Sequence, residues 1–96
     1  MGVLELLRQR RHEILKLASQ HGARNVRVFG SAARGEADGD SDIDFLVELE
    51  PDRTLFDLGA LLMDLQDLLG RKVDVVTDDS IYWLLRRRIL KEAVSL

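Results

Sequence analysis

Three β-branched runs, Val26 to Gly30, Ile43 to Leu49 and Lys72 to Thr77, limit this chain most, because the gaps between them can hold different things. About a dozen residues separate the first two runs, too few for a comfortable crossover helix, so these strands should pair antiparallel. The second gap holds an amphipathic stretch of about four helical turns, which suits a parallel, right-handed crossover to the third strand. A small mixed sheet follows from these spacings.

The remaining segments read as helices around that sheet. From about Val3 to Ala18, apolar residues fall at Leu4, Leu7, Ile14, Leu15 and Ala18, with a polar interval from Arg8 to Arg11. Gly22, just after His21, is a helix-ending residue. Ser31 to Ser41, rich in Gly, Ala, Asp and Ser, reads as a short helical turn and a loop. Thr54 with Asp57 resembles a capping box, and Leu55, Leu58, Leu61, Leu62, Leu65 and Leu69 line one side of the helix that Gly70 ends. Ser80 is placed to cap a last helix with Ile81, Leu84, Leu85 and Ile89 as its buried face. The expected order is α-β-α-β-α-β-α. This is a mixed α/β (α+β) architecture, a three-stranded mixed sheet flanked by about four helices in one domain spanning residues 1–96.

Composition narrows the classes of function. With 46% hydrophobic and 32% charged residues the chain is globular in character. It has no cysteine, which excludes disulfides and thiolate metal sites and leaves oxygen ligands or His12 and His21 for any metal. Both histidines read more simply as ordinary helix residues. The opening MGVLELLRQRR lacks the apolar core of a signal peptide and the length of a membrane span, so a cytoplasmic protein without membrane attachment is the expectation. A net charge of -3 disfavours broad binding to duplex nucleic acid, although Arg86, Arg87 and Arg88 sit together. That run reads first as a solvated helix face. Tyr82 and Trp83 read first as packing residues rather than as a base-stacking pair.

The topology brings chemistry to one sheet end. Gly30-Ser31 closes the first strand beside the start of its antiparallel neighbour at Asp42 and Asp44, and Asp74 near the start of the third strand reaches the same edge. Two residues apart on a strand, the Asp42 and Asp44 carboxylates share a face roughly 7 Å apart. At an effective dielectric near 20 their repulsion is about 2–3 kcal/mol, and no Lys or Arg is expected to adjoin the Asp42-Ile43-Asp44 triplet to relieve it. Each Asp alone has a plain reading: a turn cap, a solvated strand start, an edge residue. Together they favour a site for a hard divalent cation, Mg²⁺ or alternatively Mn²⁺. Gly30-Ser31 followed by a helical turn is a candidate anion nest, and Arg34 can add a forked contact to a phosphate.

The stretch VFGSAARGEADGDSDIDFLV, Val28 to Val47, resembles the signature of the DNA polymerase β-type nucleotidyltransferase superfamily. Its elements are G-S, A-R-G, a loop, and S-D-I-D before apolar residues, with Asp74 matching the later carboxylate. At this length the chain most resembles the minimal nucleotidyltransferases of prokaryotes, commonly encoded beside a HEPN-domain protein as antitoxin and toxin. The resemblance implies that Asp42 and Asp44 hold two Mg²⁺ ions bridging a triphosphate. Asp74 would assist metal binding and deprotonation, while Gly30, Ser31 and Arg34 hold phosphates. It implies transfer of AMP from ATP to a tyrosine of a HEPN ribonuclease toxin. Little room is left for a closed acceptor site, so the acceptor is expected to come on another protein; assembly into an oligomer stays open. Two other functions stand beside this one: an antitoxin that acts by binding alone, and a transferase acting on a small molecule or RNA end.

Overall fold

The computed structural model of the protein describes residues 2–80 and 83–96. Its strands are β1 (Ala23–Phe29), β2 (Ile43–Leu49), β3 (Val73–Thr77) and β4 (Val94–Ser95), in the spatial order β3-β2-β1-β4. β2 runs antiparallel to β1 and parallel to β3, as the connection lengths require. The expected three strands become four, because Val94 and Ser95 pair antiparallel with Val28 and Arg27. No sequence pattern announces a two-residue strand. It forms because the outer edge of β1 carries backbone groups that need partners, and the returning chain supplies them. Leu96 extends the contact, donating its N–H to the Val26 carbonyl at 3.1 Å with its side chain buried.

The helices are α1 (Val3–Gln9), α2 (Arg11–Gln20), the single turn α3 (Ser31–Arg34), α4 (Leu55–Leu69) and α5 (Trp83–Glu92), with a 3-10 turn at Asp78–Ser80. The one N-terminal helix expected from periodicity is two, broken at Arg10 with φ -99 and ψ 15. The break falls within the polar interval, where Arg8 to Arg11 are all exposed and no apolar contact holds a continuous turn. α4 begins as its sequence predicts: Thr54 Oγ1 accepts from the Phe56 N–H and Asp57 Oδ2 from the Thr54 N–H at 2.9 Å. Gly70, at φ 66, ends it in the left-handed region where Gly carries no Cβ penalty.

The core lies on one face of the sheet. Ile43, Phe45 and Val47 of β2, with Val73 and Val75 of β3 and Val26 and Val28 of β1, meet Leu7, Ile14, Ala18, Leu61 and Leu65 from α1, α2 and α4. Each fully buried large side chain contributes about 1.5–3 kcal/mol. His21 Nε2 lies 2.6 Å from Asp64 Oδ2 and joins the end of α2 to α4. α5 departs from expectation, since Leu85 is 50% exposed and Ile89 only partly buried. The apolar face of the sheet is already covered by α1, α2 and α4, and no α5 residue joins the described core. Ile81 and Tyr82, and the side chains of Ser80, Trp83 and Leu84, lie outside the described residues. Among the described residues no helix is long and apolar enough to cross a membrane.

Candidate active site

Strand alternation gives the sheet its second face. Because Ile43, Phe45, Val73 and Val75 point into the core, Asp44 and Asp74 point away from it. They are register partners across the parallel pair, and Asp44 lies opposite Phe29 across the antiparallel pair. Partnered positions on neighbouring strands leave the sheet on the same side, so the two carboxylates are neighbours. Gly30 follows Phe29 at φ 72 and ψ -151, a conformation essentially reserved for glycine. A Cβ built there would meet Asp44 Oδ2 at 2.4 Å, which shows the Asp44 carboxylate lying against the Gly30 backbone. The predicted meeting of three distant segments therefore occurs for Gly30, Asp44 and Asp74.

Asp42 sits just ahead of β2 and is exposed. Its Oδ2 is 3.8 Å from Lys72 Nζ, so a cation does adjoin the triplet, contrary to the reading from sequence. The parallel register explains the difference: with Ile43 beside Val73, the preceding residues 42 and 72 come together. Both side chains are exposed, and such a pair contributes little. The loop leading to Asp42 is tied down. Asp38 Oδ1 accepts from the Asp40 N–H at 2.9 Å and the Ser41 hydroxyl at 3.1 Å, and Arg71 donates to the Asp38 carbonyl and, at 2.7 Å, to that of Ser41.

Electrostatics mark Asp44 as the strained member. Burial first, then the charges of Asp74 and Asp42, push its carboxyl above the ordinary Asp range; Arg34 opposes this and Glu92 adds to it. Among the described residues no three His, Cys, Asp or Glu side chains form a ready metal cage. The donor chemistry nevertheless fits a divalent cation. A half-buried carboxylate whose ionisation two neighbouring carboxylates oppose gains from the positive charge such an ion supplies, and an open set suits an ion that takes its other ligands from water and phosphate.

The candidate phosphate holders are partly occupied. Glu92 Oε1 accepts from the Gly30 N–H at 2.8 Å and from Arg34 Nη1 at 2.6 Å. Arg34 Nε also donates to Glu36 at 2.9 Å, the main reason its pKa is raised. Ser31 opens α3 half-buried, and among the described residues its hydroxyl has no hydrogen-bond partner. Sequence reasoning missed Glu92, which reaches the site only because β4 folds back onto β1. A cleft of about 750 Å³, lined by Arg24, Glu48, Arg53 and Thr54 among others, opens at the opposite end of β2 and β3 from the carboxylates.

Comparison with known proteins agrees with this geometry. The family model described as a nucleotidyltransferase domain matches residues 10–96. A candidate protein adenylyltransferase of Methanocaldococcus jannaschii is 43% identical over 86 residues, covering 90% of this chain and 92% of that protein. The protein adenylyltransferase MntA of Thermococcus cleftensis is 39% identical over 79 residues, covering 82% and 80%. Among solved structures, a candidate minimal nucleotidyltransferase superposes with a TM-score of 0.88 at 50% identity, covering 100% of this chain and 97% of the other. A toxin–antitoxin structure with AMP-PNP shares the fold, with a TM-score of 0.75 at 23% identity over 88% of this chain and 69% of that one.

Proposed function

This chain belongs to the nucleotidyltransferase domain family and is a nucleotidyltransferase; we propose that residues 1–96 form one minimal domain that transfers AMP from ATP to a hydroxyl on a partner protein. The observation that carries this reading is the placement of Asp44 and Asp74 in one register beside the Gly30 turn. The relatives named as protein adenylyltransferases support the choice of AMP and of a protein acceptor. A toxin–antitoxin structure of the same fold, solved with AMP-PNP, is in keeping with an antitoxin role; the acceptor, a tyrosine of a cognate HEPN ribonuclease toxin, is what the resemblance of the Val28 to Val47 signature implies. α4 leaves Leu55, Phe56 and Met63 exposed, a surface better suited to a protein partner than to a small molecule.

The family generally uses divalent metal ions. Asp42, Asp44 and Asp74 would hold Mg²⁺, two ions in the full set, with Mn²⁺ as the alternative. When bound there the metal supplies positive charge that offsets the triphosphate and stabilises the entering and leaving oxygens. The other tasks fall to the chain itself. The Gly30 N–H, the Ser31 hydroxyl and the Arg34 guanidinium bind and orient phosphate oxygens. Asp74, the more exposed of the paired carboxylates, takes the proton from the attacking tyrosine hydroxyl. The tyrosine oxygen bonds to the α-phosphorus, the bond from that phosphorus to the β-phosphate oxygen breaks, and pyrophosphate leaves.

The test is a label-transfer assay with the chain, the protein encoded beside it, Mg²⁺ and α-labelled ATP, with the Asp42→Asn, Asp44→Asn double variant as control. Label on the partner that requires the intact carboxylates is the expected result, and peptide mapping then gives the acceptor. If no label reaches protein or RNA with any nucleotide while the partner is bound and inhibited, the enzyme reading fails and an antitoxin acting by binding alone replaces it. Label in RNA would instead identify a nucleic-acid acceptor.

A further inference from the structure

Glu92 holds two of the three donors assigned to a nucleotide phosphate, leaving only the Ser31 hydroxyl. One oxygen, Oε1, accepts from the Gly30 N–H at 2.8 Å and from the Arg34 guanidinium at 2.6 Å. Its side chain is 17% exposed against 41% for Arg34, so the pair is seated rather than draped on the surface. The position is built by the fold. Glu92 is the last residue of α5, and two residues later Val94 and Ser95 are fastened to Val28 and Arg27, close to Gly30 in the same strand run. A residue serving only to hold Arg34 has no need to cap the Gly30 N–H as well.

We propose that Glu92 is an internal stand-in for a nucleotide phosphate: in the nucleotide-free chain its carboxylate fills the place of a triphosphate oxygen, and nucleotide must displace it to bind. This rests on the reading of Gly30 and Arg34 as phosphate holders. An anionic ligand and the Glu92 carboxylate cannot share the same two donors, so binding costs the ligand whatever the internal contact is worth. Charge-assisted hydrogen bonds of this kind are among the stronger ones in proteins. Displacement need not unfold anything, since the side chain can turn away from Gly30 while α5 and β4 stay in place. The device would keep the site closed to weaker anions while admitting a triphosphate, whose several oxygens and bound cation outcompete a single carboxylate.

The experiment compares the unaltered chain with Glu92→Gln and Glu92→Ala by calorimetric titration of ATP and of inorganic tripolyphosphate in Mg²⁺, with circular dichroism to verify folding. Glu92→Gln keeps the side-chain volume and an oxygen for the Gly30 N–H but loses the charge. Both variants should bind both ligands more tightly, on the order of tenfold, with Glu92→Ala at least equal to Glu92→Gln. In the unaltered chain, the ¹⁵N-labelled Gly30 amide resonance should move on adding tripolyphosphate, a readout that needs no variant. Unchanged or weaker binding by the folded variants, or a Gly30 amide that does not respond, overturns the proposal and makes Glu92 a structural support of Arg34. If the unaltered chain still labels its partner in that case, the transferase reading stands alone. If neither ligand binds any of the three chains, both readings fall together.

Discussion

Replacing Gly30 with alanine probes the packing at the heart of the site, and its cost can be worked from two separate observations. The backbone at Gly30 has φ 72 and ψ -151, and an L-residue held in that region costs about 1–3 kcal/mol. The new Cβ would also stand 2.4 Å from Asp44 Oδ2. Forcing an extra carbon into occupied space typically costs another ~1–3 kcal/mol, toward the lower end here because the struck atom is the tip of a side chain that can rotate. The expected loss is therefore about 2–5 kcal/mol, measured by urea unfolding without divalent cations. The second part should vanish when Asp44 is also truncated. A double-mutant cycle of Gly30→Ala with Asp44→Ala should show a coupling of about 1–2 kcal/mol, with the backbone part surviving in both backgrounds. A cost of Gly30→Ala below about 0.5 kcal/mol would refute the backbone argument. A full cost that is unchanged in the Asp44→Ala background would refute the claimed contact.

Other consequences can be checked with the same unfolding assay. Asp44→Asn should stabilise the metal-free chain by about 1 kcal/mol at neutral pH, since the repulsion of ~3 kcal/mol expected at the roughly 5 Å spacing of partnered cross-strand positions and a dielectric near 20 is cut by the exposure of Asp74. The sign with pH follows from the raised Asp44 pKa. The folded chain holds that proton more tightly than the unfolded one, so this group removes stability as pH climbs from the ordinary Asp value through the raised one. The variant's advantage should accordingly shrink toward zero below about pH 3.9, the ordinary Asp value, and a variant no more stable than the parent at pH 7 would contradict the assignment. Phe45→Ala, at a site with no exposure in the middle of β2, should cost about 3–5 kcal/mol. Thr54→Ala removes the oxygen that caps Phe56 N–H and should cost about 1 kcal/mol, read as a shift in urea midpoint with an unchanged slope.

Local sequence determined a large part of this molecule. Thr54, Asp57 and Gly70 set the ends of α4, because a capping box and a left-handed glycine act within a turn of chain. Connection lengths alone determined that β1 and β2 run antiparallel and that β2 and β3 run parallel. Strand periodicity then placed Asp44 on the face opposite Phe45, and the signature from Gly30 to Asp44 pointed to the family. Only the tertiary structure decided the rest. Lys72 meets Asp42 through the register of two strands joined by a helix, which no local pattern specifies. β4 consists of two residues whose pairing answers an open edge made elsewhere, and α5 leaves Leu85 exposed because other helices already cover the core face. Glu92 is the clearest case: it lies 62 positions from Gly30 along the chain, yet its carboxylate holds the Gly30 N–H. Periodicity and capping are properties of a few neighbouring residues. A contact of that range depends on where every intervening element packs.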